Sequence, residues 1–119
     1  MFENILTEQK QIAEKFGAVW LPSEPQSMVG INKEIGKNVY PIHGLRHSPE
    51  GDGTGWFLWA GTNEIPQDED NFFSPTHAEH LFKDNPLIAK YLGLPPGWRF
   101  VIDDKGHEDV WFDEKIIKP

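Results

Sequence analysis

Apolar and polar positions repeat along this chain with two periods, and each change of period marks an element. In "ENILTEQKQIAEKF" (residues 3–16) Ile5, Leu6, Ile12, Ala13 and Phe16, with Phe2, fall on one stripe while Glu and Lys fill the rest. That spacing predicts an amphipathic helix, with Gly17 as its stop. "AVWLP" then reads as a short strand, and Pro22 and Pro25 break the next segment. The first half of residues 27–47 fits a short helix or a strand. "VYPIHGLRH" (39–47) reads as an extended strand with Pro41 near a sheet edge.

"SPEGDGTG" (48–55) has turn composition, and "WFLWAG" (56–61) is apolar on both faces, which predicts a central strand covered on two sides. "TNEIPQDEDN" (62–71) is an acidic loop. In "SPTHAEHLF" (74–82) Ser74 or Thr76 can cap a helix with Pro75 between them, and Glu79 lies three residues after Thr76. This is capping-box spacing and predicts a helix running to about Lys83. Asn85 and Pro86 restart a short helix, which "GLPPG" ends. "WRFVI" and "EDVWF" around "DDKGH" form a hairpin signature, with Trp98, Phe100 and Ile102 on one face and Arg99 and Val101 on the other. The element order predicts one α+β domain over residues 1–119. It has a mostly antiparallel sheet, an N-terminal helix and two short helices before a C-terminal hairpin.

Composition narrows the function. The chain of 119 residues has no cysteine, which excludes disulfides, thiolate catalysis and iron–sulfur clusters. No apolar run approaches the roughly 20 residues that span a bilayer. The first residues show no basic stretch leading into an apolar one, so the expected compartment is the cytoplasm. The net charge of −8 is uneven: residues 1–59 carry 5 basic and 7 acidic side chains, residues 60–119 carry 6 and 12. Such a chain repels nucleic acid and anionic membrane and favours a basic partner.

Candidate chemistry is sparse. His77 and His80 are three apart, but this is not the HExxH pattern of a zinc helix, and two histidines alone are a weak metal signal. His43 and His47 share one side of a strand with Arg46 opposite, a candidate anion site or else an exposed strand face. Glu64, Asp68, Glu69 and Asp70 lack the spacing of a calcium loop and suit a contact surface for a basic partner. There is no glycine-rich phosphate loop and no nucleophile elbow. Tryptophans in the strand runs are core material unless one is left exposed, as Trp59 or Trp111 can be, to anchor an interface.

Three segments together, Ser27–Ile35, Gly55–Glu64 and Pro86–Gly97, resemble in order the pattern of the immunity protein 33 family. The matching features are the "SMV" start of a short element, the Gly-Trp-aromatic run ending in Gly and an acidic residue, and the Pro-hydrophobic segment reaching "YLGLPPG". The resemblance spans roughly residues 27–100, leaving the N-terminal helix and C-terminal hairpin outside. It implies a bacterial α+β protein that protects its producer by binding a cognate toxin, with no catalytic residues to carry over. The resulting expectation is an immunity-type protein that occludes a toxin through Trp59, Glu64, Asp68, Glu69 and Asp70, without catalysis, cofactor or bound metal. The alternative is a metal-binding protein or metal-dependent hydrolase using His77 and His80.

Overall fold

Helix α1 (Glu3–Lys15) buries Ile5, Gln9, Ile12 and Ala13, the stripe its periodicity predicts plus one amide. Gln9 is buried because both ends of its side chain are used. Its Nε2 donates to Ala89 O at 3.4 Å and its Oε1 accepts from the Ser23 N–H at 3.2 Å. The computed structural model describes residues 3–61 and 73–116. Within them the chain continues as β1 (Met28–Ile31), β2 (Ile42–Arg46), β3 (Gly53–Ala60), β4 (Ser74–His77), α2 (Ala78–Asp84), α3 (Pro86–Ala89), β5 (Trp98–Ile102) and β6 (Glu108–Phe112), with a last 3-10 turn at Glu114–Ile116. The α+β class is as expected.

The strands form one six-stranded sheet in the order β4-β1-β3-β2-β5-β6. Every ladder is antiparallel except β1 with β3. β3 is central, as its unbroken apolar run predicts. Val29, Ile42, Trp56, Leu58, Ala60, Phe100 and Ile102 share one cluster with Ile5, Ile12, Leu81, Phe82, Ile88 and Leu92, so the three helices lie on one face of the sheet. At the far edge Glu108 of β6 accepts from Lys15 Nζ at 2.7 Å and from the Tyr91 hydroxyl, tying α1 and the segment after α3 to the hairpin. Burial and the Glu108 contact push the Tyr91 hydroxyl well above its usual range.

β3 carries a bulge. Met28 faces Gly53 but Gly30 faces Phe57, so two residues of β1 span four of β3. Gly55 absorbs the kink at φ +90°. Thr54 patches the ladder: its hydroxyl donates to Met28 O at 2.8 Å and accepts from the Trp56 N–H at 3.1 Å. Arg46 locks this corner from the helix side. It is 2% exposed and reaches no carboxylate among the described residues. Nε donates to Thr54 O (2.8 Å), and Nη1 to Leu21 O (2.8 Å), Leu94 O (2.8 Å) and Leu92 O (3.4 Å). Burial lowers its pKa to about 10, which leaves it protonated at neutral pH.

Several local expectations give way to tertiary pairing. Ser74–His77 is a strand against β1, and the helix starts only at Ala78. The capping box between Thr76 and Glu79 does not form, since the N-cap is His77 and makes no side-chain cap bond. The first N–H groups of α2 find backbone acceptors instead: Ala78 donates to Ser27 O at 2.8 Å and Glu79 to Pro25 O at 2.9 Å. "AVWLP" is not a strand but part of the connector to β1. Its Leu21 N–H donates to Gly93 O at 2.9 Å, while Val19, Trp20 and Leu21 stay exposed. Pro41 precedes β2 and takes no ladder position, which lets β2 sit between β3 and β5 rather than at an edge. Asn85 is the N-cap of α3 with Pro86 inside it, as predicted, though without a side-chain cap bond.

Candidate functional site

Alternation along the strands gives the sheet a second face. Its side chains fall in two rows set by register across β3, β2, β5 and β6: Trp59, His43, Val101 and Asp109, then Phe57, Leu45, Arg99 and Trp111. None of these eight belongs to the cluster that takes in the helices. At one end Phe73 meets Phe57 and Trp59 edge-on, with ring centroids 5.1 and 6.3 Å apart. Gly30, Phe57, Phe73 and Pro75 help line a shallow recess of about 230 Å³ there. At the other end lies β6, the last strand of the sheet. Its Trp111 is 37% exposed on this face, while Phe112, 48% exposed, packs on Trp98 of the other face.

Trp59 is not the exposed anchor expected of it. It is fully buried and stacked on His43, centroids 5.0 Å apart and planes within 7°. His43 of β2 lies flat on it and Phe73 meets it edge-on. Trp111 occupies an edge strand and is the tryptophan of this face left open. Glu64, Asp68, Glu69 and Asp70 lie outside the described residues.

His43 and His47 share the second face and Arg46 faces the helices, as the even spacing predicts. The three do not combine into an anion site, because Arg46 is used up on backbone carbonyls. Nor is the strand exposed: all five residues of β2 are buried. His47 is exposed, edge-on to Phe57 at 5.5 Å, with Nδ1 3.3 Å from Ile116 O. His43 is 5% exposed, and its Nε2 has no hydrogen-bond partner. Burial holds its pKa below the usual imidazole value, and the Arg99 charge adds to that. Arg99 holds Asp113 through Nη1 at 3.2 Å and lies 5.3 Å from the Trp111 ring centroid, yet its Nε is also buried without an acceptor. Unpartnered buried groups of this kind typically cost about 1–3 kcal/mol each. Two on one face, with the exposed Trp111 at its β6 edge, set this surface apart from an ordinary core.

The neutral His43 makes a prediction. Its folded pKa lies below the unfolded value of about 6.5. Above that value neither state binds the proton and the full stability is present. As pH falls the unfolded chain is protonated first, so stability drops until the folded pKa is passed. His43→Leu should therefore lose part of the acid-side decline. Its stability at pH 7.5 should stay within about 1 kcal/mol of the parent or rise, because an unpartnered nitrogen is removed. Urea midpoints at several pH values between about 7.5 and 5 test this, and equal slopes in both chains would dismiss His43 as the group.

The histidines of "HAEH" are both exposed, with ring centroids 6.2 Å apart and His77 at the end of a strand rather than within the helix. Among the described residues no group of three or more His, Asp or Glu side chains is placed to hold a metal ion. No helix among them is long and apolar enough to cross a membrane.

What sequence reading missed on this face is Arg99. Alternation placed it beside Val101, and the hairpin register that sets Trp111 against it was the signal available.

Comparison with known proteins adds one result. A family model described as an Imm33-like domain matches residues 8–113. The match begins inside α1 and ends just past β6, so most of the helix and all of the hairpin fall within the family pattern. No curated protein and no solved structure matches the chain.

Proposed function

The chain belongs to the Imm33-like family, and we propose that it is a bacterial immunity-type protein that neutralises a cognate protein toxin by binding and occluding it. It acts as one folded domain in the cytoplasm of the producing cell and contributes no catalysis of its own. The observation that carries this reading is the family match over nearly the whole chain. The aromatic face ending in the exposed Trp111 supports it, since an exposed large aromatic at a sheet edge is a typical interface anchor.

Charge supplies the long-range part. The second half of the chain carries most of the −8 net charge, and Glu64, Asp68, Glu69 and Asp70 concentrate it in the segment that follows Trp59 and the end of β3. A basic toxin is drawn to such a surface, which raises the association rate more than it changes the final affinity. Trp59 holds the end of β3 firmly through its stack with His43.

The experiment is co-purification of the tagged chain from its native cells, followed by binding kinetics with the toxin domain recovered. Reversing Glu64, Asp68, Glu69 and Asp70 to Lys should slow association by about tenfold or more at low salt and flatten its salt dependence. Unchanged kinetics would reduce the acidic run to solvated surface. Recovery of no toxin, under conditions where the cells make one, would overturn the immunity reading.

A further inference from the structure

The two edges of the sheet differ in how they meet their surroundings. At the β4 edge the Ala78 N–H donates to Ser27 O. In the β1–β4 register Ser74 and Thr76 therefore turn their main-chain groups toward β1, and Pro75 and His77 turn theirs outward. Pro75 has no N–H to offer, and a proline in this place guards an edge against further pairing. At the β6 edge the Asp103 N–H donates to His107 O and the Asp113 N–H to Gly97 O. The β5–β6 register then turns the main-chain groups of Asp109 and Trp111 toward β5 and those of Glu108, Val110 and Phe112 outward. No proline, glycine or lysine interrupts "EDVWF". The turn that follows does not shield it. Ile116 O lies 3.3 Å from His47 Nδ1, so the chain leaves β6 inward, toward the end of β2. Asp109, Trp111 and Phe112 are all exposed.

We propose that β6 pairs with β6 of a second copy of this chain, antiparallel across a two-fold axis at Val110, so that two six-stranded sheets become one. The strand is complementary to itself in this register. Glu108 faces Phe112, Asp109 faces Trp111, and just beyond the strand His107 faces Asp113, so no like charges are opposed. All five residues of the strand are engaged, and each outward residue meets an outward residue. Centring the pair on Asp109 sets two carboxylates against each other, and centring it on Trp111 sets Asp109 against Asp113 twice. Like charges directly opposite are destabilising. Charge therefore selects the register that also pairs the most backbone.

The Val110 pair and the two Glu108–Phe112 pairs exchange about six main-chain hydrogen bonds. The contact uses the same patch on both copies, so it closes at two, and the Pro75 edge does not extend it into a fibre. Side chains stand roughly perpendicular to the sheet, so Trp111 stays on the second face beside Asp109 of the other copy, and the two second faces join. The dimer is independent of the toxin reading, which concerns what that face binds.

The test is sedimentation of the full chain from about 1 μM to about 1 mM, with cross-linking to read the register. A monomer–dimer equilibrium with no larger species is expected. Val110→Pro removes an outward N–H that makes no bond to β5, and should raise the dissociation constant by about tenfold or more. The chain has no cysteine, so one introduced thiol per chain is unique. Mixed Asp109→Cys and Trp111→Cys chains should form the mixed disulfide in preference to either symmetrical one. Residues 109 and 111 make a non-hydrogen-bonded pair in the proposed register, with Cα atoms about 4.5 Å apart, within disulfide reach. These two variants keep the main chain of β6 intact and so decide the matter where Val110→Pro unfolds the hairpin. A parent chain that stays monomeric at about 1 mM, a dimer unmoved by Val110→Pro in a folded chain, or an excess of symmetrical disulfides each overturns the proposal. All of these leave the immunity reading to its own experiment, the recovery of a toxin.

Discussion

Arg46→Met is expected to destabilise the fold by about 3–5 kcal/mol, a large share of the roughly 5–15 kcal/mol that holds a domain of this size together. A buried arginine paired with a carboxylate can often be replaced with little loss if its partner goes too. Here the partners are backbone carbonyls and cannot be removed. Leu92 O keeps the Trp56 Nε1 and Ser23 Oγ donors, and Leu21 O borders solvent. Thr54 O and Leu94 O lose the guanidinium donor and gain nothing from a thioether side chain. Arg46→Lys should fall between the two chains, because an ammonium is a point donor and cannot span from Thr54 O to Leu94 O as the planar fork does. The measurement is urea unfolding with an unchanged denaturant slope. A loss under about 1 kcal/mol for Arg46→Met would mean that the carbonyls find other donors and that the corner is not held by this residue.

Gly55→Ala is the second large effect, about 3 kcal/mol or more. Two costs combine at this position. Its φ of +90° is a conformation that side chains rarely adopt, and an added Cβ would run into the His47 carbonyl oxygen well inside 3.0 Å. The His47 carbonyl cannot retreat freely, because the same residue's N–H donates to Gly55 O at 2.8 Å. Gly106 separates the two costs. It has φ +91°, and an added Cβ there would meet nothing within 4 Å, so Gly106→Ala carries the backbone strain alone, about 1–2 kcal/mol. The difference between the two variants is the cost of the collision. If they destabilise equally, the bulge is soft and the strand simply shifts.

The parts of this fold that were legible in sequence are those decided by local periodicity. The α1 stripe, the two-sided run of β3 and the face assignment of Trp98, Phe100 and Ile102 follow from spacing alone. What failed was decided by distant partners. "SPTH" carries helix-start chemistry, but β1 offers it a ladder, and the carbonyls of Pro25 and Ser27 replace the cap that Thr76 would have made. Trp59 and Trp111 look alike along the chain, and only the strand order decides which of them is covered. Arg46 reads as a surface charge beside two histidines, because nothing in its neighbourhood announces carbonyls from Leu21, Leu92 and Leu94. The acidic run was the clearest binding signal in composition. The open aromatic edge and Arg99 needed the register.

The place of β1 between β3 and β4 has a consequence for how the chain is made. The β2–β3 and β5–β6 ladders join segments close in sequence and can zip within about microseconds once both strands exist. β1 cannot, since Met28 must find both Gly53 and His77. Closing such distant pairs is what slows a folding chain. During synthesis at about 5–20 residues per second, β1 therefore waits about 2–10 s for its second neighbour to be translated. The amphipathic α1 waits longer, for the far side of the core it packs on. Any binding surface that depends on the register of this sheet is consequently absent until the segments after β4 have been translated, and until then binding depends on copies finished earlier.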